Sequence, residues 1–380
     1  MIVTIPKEIN DGETRVAVTP STVKEMVKAG LTVQIESGAG EGSFISDDDF
    51  TNAGAEIVNY SDKLYQNTDI ILKVIAPTNK EISLYNDKVT VISFLQTTRE
   101  LDTVNNLLNK SITGFSMHLI PRTTLAQKMD ALSSQANIAG YKSVLIAASK
   151  LGIYMPLLMT AAGTIRPAKV LILGAGVAGL QAIATAKRLG SQVEAFDVRP
   201  VVKEQVESLG AKFIEVESGS EDGVGEGGYA KETTDDYKQK QQELIQERIS
   251  LADAVITTAL IPGKPAPILI PKSMVEKMKP GSVIMDLAAE NGGNCELTQK
   301  DKVVEFNQVT IDGTSNIPGT MPVHATELYA KNICAFLLYM INDGKINIDL
   351  DDEIISGSLF TFDGKITHKP TSELIQNKKE

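Results

Sequence analysis

The feature that most constrains this chain is the glycine-rich segment Gly174-Ala-Gly-Val-Ala-Gly179, which follows the apolar run Lys169–Leu173 and precedes a helical pattern. In a strand–turn–helix unit, Gly174 allows a tight turn, Gly176 lets the backbone approach a pyrophosphate, and Gly179 lets the helix pack close to the strand. The start of such a helix adds unpaired N–H groups that attract phosphate. The segment therefore predicts a dinucleotide site, with a glycine-rich turn in some other α/β domain as the alternative.

An acidic residue supports the dinucleotide interpretation. Asp197 ends a second strand-like run, Gln192–Phe196, and lies 23 residues after Gly174. A carboxylate at this place would accept hydrogen bonds from the adenosine ribose hydroxyls and repel a 2′-phosphate. The spacing therefore favours NAD over NADP, although Arg199 leaves NADP open.

The 380 residues suggest two domains or three. Strand-like and helical patterns alternate along the chain, which predicts parallel sheets with helices on their faces. Predicted helices are Pro20–Ala29 with Ser21 as its cap, Asp130–Leu151 with a stop at Gly152, and Glu327–Ile341. Predicted strands are Met1–Ile5, Leu31–Glu36, Asp69–Ile75, Lys88–Phe94, Ile112–Met117, Lys169–Leu173, Gln192–Phe196, Lys212–Val216, Ala254–Thr258, Ser282–Leu287 and Val309–Ile311.

Charge and composition exclude several classes of protein. A net charge of −11 argues against nucleic acid or an anionic membrane as the main partner, because phosphate neutralisation needs clustered Lys and Arg. Two cysteines, Cys295 and Cys334, are too few for a disulfide scaffold and indicate a reducing compartment. The three histidines are scattered, and no Cys/His spacing predicts a metal site.

No targeting or membrane signal is expected. The first ten residues lack the charged and apolar regions of a signal peptide. The apolar window Val170–Ala186 has nearly the length of a membrane span, but its three glycines favour a strand, a turn and a helix. We therefore expect a soluble chain.

Four loops are candidates for function. Glu217–Ala230 is rich in glycine and acidic residues, so it is predicted to be an exposed loop, either functional or a surface insertion. Pro121–Asp130 brings a guanidinium, an amide and a carboxylate together; it could contact an amide-bearing ligand, or it could be a solvated helix entry capped by Asp130. Ile261–Pro267 and Glu290–Asn294 are predicted exposed loops at the carboxyl ends of strands, where open α/β sheets bind ligands.

These motifs together resemble the NAD(H)-binding component of proton-translocating NAD(P) transhydrogenases, a family related to alanine dehydrogenase. The resemblance covers essentially the whole chain and rests on IPKEINDGETRVAVTP, PRTTLAQKMDALSSQANIAGY, AAGTIRPAKVLILGAGVAGLQAIATAKRLG, FDVRP, KEQVESLGAKF, GGYAKE, TTALIPGKPAPILI and MKPGSVIMDLAAENGGNCE. It implies an α/β fold of two Rossmann-like doubly wound parallel-sheet domains joined by two long helices. The first domain would comprise residues 1–130 and 327–380, and the second residues 131–326.

The resemblance also implies roles for individual residues. Those expected to orient the nicotinamide and its ribose are Arg122, Thr123, Thr124, Leu125, Gln127, Asp130 and Ser133, of which Gln127, Arg122 and Asp130 would be catalytic. Those expected around the pyrophosphate and adenosine are Gly174, Gly176, Val177, Gly179, Asp197, Val198 and Arg199. Gly228 and Tyr229, in a lid loop of about residues 217–235, would close over the cofactor with Gln241, and Leu260 would line the pocket.

Differences from alanine dehydrogenase bear on the reaction. That enzyme needs an Arg and a Lys for its substrate carboxylate, and a His and an Asp for proton transfer. Arg15 and Lys73 match the first pair, but Gln96 stands at the His position and Glu290 at the Asp position. A glutamine side chain cannot act as a general acid or base near neutral pH, whereas hydride transfer between two nicotinamides needs none. Arg15 and Lys73 are therefore expected to form an ion-pair cluster.

The implied function is that of a homodimeric subunit that binds NAD(H) and passes hydride to NADP⁺ on a partner subunit. The NADP(H)-binding beta subunit and the membrane-spanning subunits would be its partners, and it would lie peripherally on the cytoplasmic, NADH-containing side of an energy-coupling membrane. A free-standing dehydrogenase of the alanine dehydrogenase type and a non-enzymatic NAD-sensing module are the alternatives.

Overall fold

The structure is a computed structural model that describes residues 1–59, 64–215, 235–261 and 263–377, without the side chains of residues 235–238. The chain forms two compact units: unit 1 is Met1–Gln135 with Gly319–Glu380, and unit 2 is Ala136–Pro318. The two boundaries lie after Gln135 and Pro318, whereas the sequence placed them after residues 130 and 326.

The strands and helices are named in chain order. The strands are β1 (Ile2–Ile5), β2 (Thr32–Glu36), β3 (Glu56–Val58), β4 (Ile70–Leu72), β5 (Thr90–Ser93), β6 (Thr113–Ser116), β7 (Leu158–Thr160), β8 (Gly163–Ile165), β9 (Lys169–Leu173), β10 (Gln192–Phe196), β11 (Lys212–Ile214), β12 (Ala254–Thr257), β13 (Val283–Asp286), β14 (Val303–Phe306), β15 (Val309–Asp312), β16 (Ile341–Asn342), β17 (Lys345–Ile346), β18 (Leu359–Phe362) and β19 (Lys365–Ile366). The helices are α1 (Pro20–Lys28), α2 (Asp47–Asn52), α3 (Asn79–Leu84), α4 (Leu101–Asn109), α5 (Ala131–Lys150), α6 (Val177–Arg188), α7 (Lys203–Ser208), α8 (Asp235–Leu251), α9 (Lys272–Val275), α10 (Pro322–Met340), α11 (Glu353–Ser358) and α12 (Lys369–Asn377).

The described residues of unit 1 contain an eight-stranded sheet of order β19-β18-β6-β5-β4-β1-β2-β3. Strands β6 to β3 in this order are parallel, and β18 and β19 add an antiparallel edge. The buried strand residues alternate between two apolar clusters, with Ile70 and Leu72 in one and Ile71 in the other. Both faces of this sheet are therefore covered, as a doubly wound parallel sheet requires.

Unit 2 contains a seven-stranded sheet of order β11-β10-β9-β12-β13-β15-β14, parallel except for β14 at one edge. Val170 and Ile172 of β9 join one apolar cluster, while Leu171 and Leu173 join another. The chain leaves β9 toward β10 on one side and returns to β12 on the other, so the winding direction reverses at β9. Open α/β sheets bind ligands at such a reversal.

These two sheets confirm the predicted α/β fold class with two Rossmann-like domains. The window Val170–Ala186 forms a strand, a turn and a helix, as predicted. No helix within the described ranges is long and apolar enough to cross a membrane.

One predicted helix cap and one predicted helix start were wrong. The cap of α1 is Thr19, not Ser21: the Thr19 hydroxyl accepts a hydrogen bond from Thr22 N, and Pro20 takes the first helical position. Helix α10 begins at Pro322, before the predicted Glu327. In both cases proline suits the first turn because its missing N–H would have no partner there and its φ is already helical.

A glycine in α5 tests the packing of unit 2. A Cβ added at Gly140 would lie 2.1 Å from the carbonyl oxygen of Ala178, so Gly140→Ala is expected to destabilise the protein by about 1–3 kcal/mol through overpacking. Helix propensity alone would give the opposite sign, by about 1 kcal/mol. Urea unfolding measures the difference, with Gly152→Ala as control because nothing lies within 4 Å of its added Cβ. A stabilised Gly140→Ala variant would contradict this packing.

Candidate functional site

The turn between β9 and α6 has the geometry that its glycines predict. Gly174 has φ +101°, in the left-handed region, and a Cβ there would lie 2.5 Å from Thr258 Oγ1. A Cβ at Gly179 would lie 1.9 Å from the Gly174 carbonyl oxygen, so only glycine lets the helix sit this close to the strand. At Gly176, by contrast, an added Cβ would meet only Arg199 Nη2, at 4.0 Å. The space beside Gly176 is therefore open to a ligand.

Helix α6 begins at this open space. Its N-cap residue, Gly176, has no side chain to cap the helix, and its carbonyl accepts from Leu180 N at 2.8 Å. As at any helix start, the first-turn N–H groups have no intrahelical acceptors, and Val177 is 40% exposed. Backbone N–H groups and the positive end of the helix dipole thus face the place where a pyrophosphate would bind.

Asp197 lies beside the turn but is already engaged. Its Oδ2 accepts from Ala175 N at 2.7 Å and from Arg199 Nη2 at 2.8 Å. Its Oδ1 accepts from Arg199 N and Nε, both at 2.9 Å. The carboxylate therefore both fixes the turn and pairs with Arg199, so ribose hydroxyls would have to compete with the guanidinium.

The remaining predicted cofactor residues of unit 2 have different surroundings. Leu260 follows β12 and is 44% exposed, Gln241 is buried in α8, and Val198 packs partly buried against an apolar cluster. Gly228 and Tyr229, with most of the predicted lid loop, lie outside the described residues. The structure thus brings Gly174, Asp197 and Arg199 together.

The nicotinamide-side candidates all belong to unit 1, where Leu125–Met129 forms a turn of 3₁₀ helix. Ala126 and Met129 are buried in the unit 1 core, whereas Leu125 and Gln127 are exposed. Asn332 of α10 donates from Nδ2 to the Lys128 carbonyl at 2.8 Å. Two apolar anchors and one hydrogen bond thus hold this segment so that Gln127 points into solvent.

Around this turn, Arg122 and Thr124 are exposed, and Thr123 is half-buried. Asp130 caps α5: its Oδ1 accepts from Ser133 N at 2.9 Å and its Oδ2 from Ser133 Oγ at 2.6 Å. The helix-entry interpretation is confirmed for Asp130. A contact with a ligand stays a prediction for the exposed side chains.

Lys73 lies in a buried ion-pair cluster. Its Nζ donates to Glu8 Oε2 at 2.8 Å and to Glu81 Oε1 at 2.7 Å, and it is 1% exposed. Burial lowers the pKa of Lys73, but the two carboxylates outweigh it and hold the pKa above its usual value. Lys73 is therefore a charged partner of Glu8 and Glu81.

Arg15 is likewise paired. It donates to both oxygens of Glu13, from Nε at 2.8 Å and from Nη2 at 2.6 Å, and from Nη1 to Gln135 Oε1 at 2.8 Å. The two residues expected to be substrate clamps in an alanine dehydrogenase are thus held by carboxylates of this chain, Arg15 by Glu13 and Lys73 by Glu8 and Glu81.

The residues at the acid/base positions are also engaged. Gln96 Oε1 accepts from Arg99 Nη1 at 3.2 Å, and Glu290 Oε1 accepts from Asn316 N at 3.3 Å. Within the described ranges, no group of three or more His, Cys, Asp and Glu side chains suits a metal ion.

The two loops predicted to be exposed are only partly so. Gly293 and Asn294 are buried, and so is Ala266, whereas Glu290 and Lys264 are exposed. The prediction was wrong for the buried residues because a side chain that follows one strand hydrogen-bonds to the loop that follows the adjacent strand. A single segment of sequence does not reveal such a contact between two loops.

Two residues near the strand ends were missed. Thr258 Oγ1 donates to the Gly174 carbonyl at 3.0 Å and so braces the glycine turn; its place directly after β12 was the available signal. His118, just after β6 in unit 1, packs against Phe94 with ring centroids 4.7 Å apart and ring planes tilted by 56°, and its Nδ1 is buried without a hydrogen-bond partner. No local pattern indicates this burial.

The open glycine turn, the uncapped helix start and the reversal at β9 define the nucleotide-binding dehydrogenase fold, and the residues present fit a dinucleotide. Family models agree: Alanine dehydrogenase/PNT, N-terminal domain matches residues 4–139, and Alanine dehydrogenase/PNT, C-terminal domain matches residues 143–369. The chain belongs to the alanine dehydrogenase/PNT family.

Individual relatives place it within that family. A relative from Rhodospirillum rubrum, named as the first portion of NAD(P) transhydrogenase subunit alpha, is 46% identical over 376 residues, 97% of this chain and 98% of the relative. The crystal structure of a transhydrogenase from Sinorhizobium meliloti is 44% identical, with a TM-score of 0.88 over 96% of this chain and 100% of that one. An alanine dehydrogenase of Mycolicibacterium smegmatis is more distant, at 30% identity over 96% of this chain and 94% of its own. The resemblance seen in the sequence motifs is confirmed.

His118 makes stability depend on pH. Burial lowers its pKa to about 4, so the folded protein keeps the ring neutral. As the pH falls from about 6.5 toward 4, the unfolded chain takes up a proton that the folded protein does not, and stability falls. Between pH 7 and pH 5 we expect His118 to account for a loss of about 2 kcal/mol in the free energy of unfolding.

Urea unfolding at the two pH values measures this loss. His118→Phe keeps the ring against Phe94 and should remove about 2 kcal/mol of the pH dependence. His324→Gln, at an exposed position of the same unit, is the control. An unchanged pH dependence in His118→Phe would assign the loss to other groups.

Proposed function

We propose that this chain is the NAD(H)-binding subunit of a proton-translocating NAD(P)⁺ transhydrogenase of Re/Si-specific type. It would present NADH to NADP⁺ held by a partner subunit and be active only with its partners. The observation that carries the proposal is the glycine turn of unit 2, where Gly174 and Gly179 create the close helix–strand approach and Gly176 leaves room for a pyrophosphate. The names of the relatives at 46% and 44% identity support the same role.

In this proposal, the backbone of the turn and of the start of α6 binds the pyrophosphate. Asp197, Val198 and Arg199 hold the adenosine end, and Leu260 lines the pocket beyond the turn. Asp197 would hold the ribose hydroxyls, and Arg199, whose guanidinium binds Asp197 here, would be available to hold the neighbouring phosphates. Gln241, Gly228 and Tyr229 belong to the proposal through the family resemblance.

The nicotinamide end is assigned to the segment around Gln127. Bound NADH supplies a hydride donor, and the residues of this chain orient it. Gln127 and Arg122 offer exposed polar side chains from a turn that Ala126 and Met129 anchor in the core. Asp130 acts by fixing the start of α5 through Ser133. Positioning and exclusion of water are the whole contribution of these residues, because hydride passes between two nicotinamides without a proton.

The glutamine at the position of the catalytic histidine favours transhydrogenation over amino-acid oxidation. A dehydrogenase of the alanine type would need Arg15 and Lys73 free for a substrate carboxylate, yet carboxylates of this chain already bind both. Gln96 cannot exchange a proton. Unless these ion pairs open, pyruvate has no cationic partner at this place.

The proposed partners are an NADP(H)-binding beta subunit, membrane-spanning subunits that couple hydride transfer to proton translocation, and a second copy of this chain. The assembly would lie on the cytoplasmic side of the membrane, where NADH is available. A homodimer is supported by exposed apolar side chains on and beside the hairpin β7–β8, including Tyr154, Leu157, Ile165 and Met159, which is 77% exposed. Apolar patches of this kind usually mark an interaction surface.

One assay in three arms tests the function. The chain is supplied with NADH alone, then with NADH, pyruvate and ammonia, then with NADH, the partner subunits in membranes, and thio-NADP⁺, whose reduced form is spectrally distinct. We expect turnover only in the third arm. Turnover with pyruvate and ammonia would identify an alanine dehydrogenase, and binding without turnover in any arm would identify an NAD-sensing module.

Asp197 should set the choice of nucleotide. Asp197→Asn keeps the size of the side chain and removes its charge, so NADH binding should weaken by about 1–3 kcal/mol and the preference over NADPH should shrink. Calorimetry of the isolated chain measures both affinities. Asp253→Asn is the matched control: this carboxylate also binds a backbone N–H and a cation, Lys169 N and Lys279 Nζ, but near the amino ends of the strands. Equal affinity of the wild type for NADH and NADPH would defeat the assignment.

Gln127 should act on rate more than on affinity. Gln127→Asn keeps the amide and shortens its reach by one methylene, and a displacement of about 1 Å can slow a well-oriented reaction about 100-fold. We therefore expect nearly unchanged NADH affinity in the isolated chain and much slower hydride transfer once partner subunits are added. Gln376→Asn, an exposed glutamine in α12, is the control. Loss of affinity in proportion to rate would make Gln127 an ordinary binding residue.

A further inference from the structure

A buried carboxylate organises the strand ends of unit 2. Asp286 ends β13 and is 0% exposed. The groups that donate to its two oxygens include Thr257 Oγ1 at 2.8 Å, Asn294 N at 2.8 Å, Cys295 N at 3.0 Å and Thr298 Oγ1 at 2.6 Å. With these donors in place, Asp286 holds the returning chain around Asn294 against the end of the sheet.

The side chain of Asn294 then binds the loop that follows the neighbouring strand, β12. Its Oδ1 accepts from Ala259 N at 3.0 Å, and its Nδ2 donates to the carbonyls of Ala259 at 2.9 Å and Pro267 at 2.9 Å. Asn294 is 0% exposed, and only one orientation of its amide satisfies all three bonds. The amide therefore fixes residue 259 and ties down residue 267 of the same loop.

Ala259 lies next to the residue that braces the glycine turn. Thr258 N donates to the Leu173 carbonyl at 2.9 Å, and Thr258 Oγ1 donates to the Gly174 carbonyl at 3.0 Å. The backbone of this loop approaches so closely that a Cβ on Gly174 would lie 3.3 Å from Ala259 N. Hydrogen bonds thus connect Asp286 to Asn294, and Asn294 to Ala259. The neighbouring residue, Thr258, then connects this loop to the Gly174 turn.

We propose that Asn294 is a positioning residue for the dinucleotide: it sets Ala259, Leu260 and the Thr258 brace against the glycine turn, and so controls nucleotide affinity from a buried position. This inference rests on the proposed NAD(H) site. The side-chain amide of Asn294 already makes its hydrogen bonds to the loop. Asn294 therefore acts on the ligand indirectly, through the backbone at Ala259 and the hydroxyl of Thr258.

Two variants interrupt the connection at different places. Asn294→Ser shortens the side chain and removes the amide from the loop, whereas Thr258→Val keeps the shape of the side chain and removes only its donor to Gly174. The control is Ser282→Ala, which removes the hydrogen bond of 2.6 Å from the buried Ser282 hydroxyl to the Lys279 carbonyl beside the start of β13. Each variant is assayed as the full chain for NADH affinity by calorimetry and for thermal unfolding, alone and combined as the double variant.

We expect each of the two variants to raise the dissociation constant for NADH about tenfold, since Asn294→Ser loses three hydrogen bonds to the loop and Thr258→Val loses the bond to Gly174. The double variant should bind NADH only slightly less tightly than the single variant with the lower affinity, because both changes break the same connection. Ser282→Ala should lose thermal stability and keep its NADH affinity within about twofold. A purely structural role for Asn294 would lower thermal stability without moving the affinity.

Unchanged NADH affinity in a folded Asn294→Ser protein would overturn the inference, as would fully multiplicative losses in the double variant. If Asn294→Ser does not fold, Thr258→Val decides. The connection is supported if this variant binds NADH tenfold more weakly and NADH no longer slows amide exchange at residues 258–260. Wild-type NADH affinity in this variant refutes the connection. A wild-type chain that does not bind NADH would refute the proposed function instead.

Discussion

The close approach of helix α6 to strand β9 is the contact on which the nucleotide site depends. No side chain larger than hydrogen fits between Gly179 and the Gly174 carbonyl, so the helix start is pressed against the carboxyl end of the strand. That approach places first-turn N–H groups at the reversal of the sheet, where the helices that follow β9 and β12 pack on opposite faces and leave a crevice. Asp197, directly after β10, and Thr258, directly after β12, then hold the turn from its two sides.

Unit 1 uses the carboxyl edge of its sheet differently. Lys73 lies just after β4 with two carboxylates, and Arg15 is bound by Glu13. Burying an unpaired charge of either sign costs free energy, so these buried side chains are held in ion pairs with one another. In unit 2 the carboxyl ends of the strands leave space for a ligand, whereas in unit 1 internal ion pairs occupy this edge of the sheet. This is why residues that match a substrate clamp by position do not imply amino-acid chemistry.

Much of the fold could be predicted because its signals are local. Apolar runs of β-branched residues mark buried strands, and the spacing of Gly174, Gly176 and Gly179 marks the turn between a strand and a helix. The errors at Ser21 and Glu327 are also local: Thr19, just before Pro20, caps α1, and α10 begins at Pro322, before Glu327. The sequence identified the segment around Gln127 as a candidate ligand-binding segment. Its residues alone left open whether Asp130 caps a helix or contacts a ligand.

The sequence by itself determined the α/β class, the glycine turn and its preference for a dinucleotide, because each depends on residues within one strand–turn–helix unit. Only the tertiary structure decided that Lys73 lies between Glu8 and Glu81, and that Asn294 binds the loop after β12. Partners such as Glu8 and Lys73, or Asn294 and Ala259, lie 65 and 35 residues apart in the chain. Burial and hydrogen-bond satisfaction at a shared sheet edge select these partners, and no periodicity along the chain encodes them.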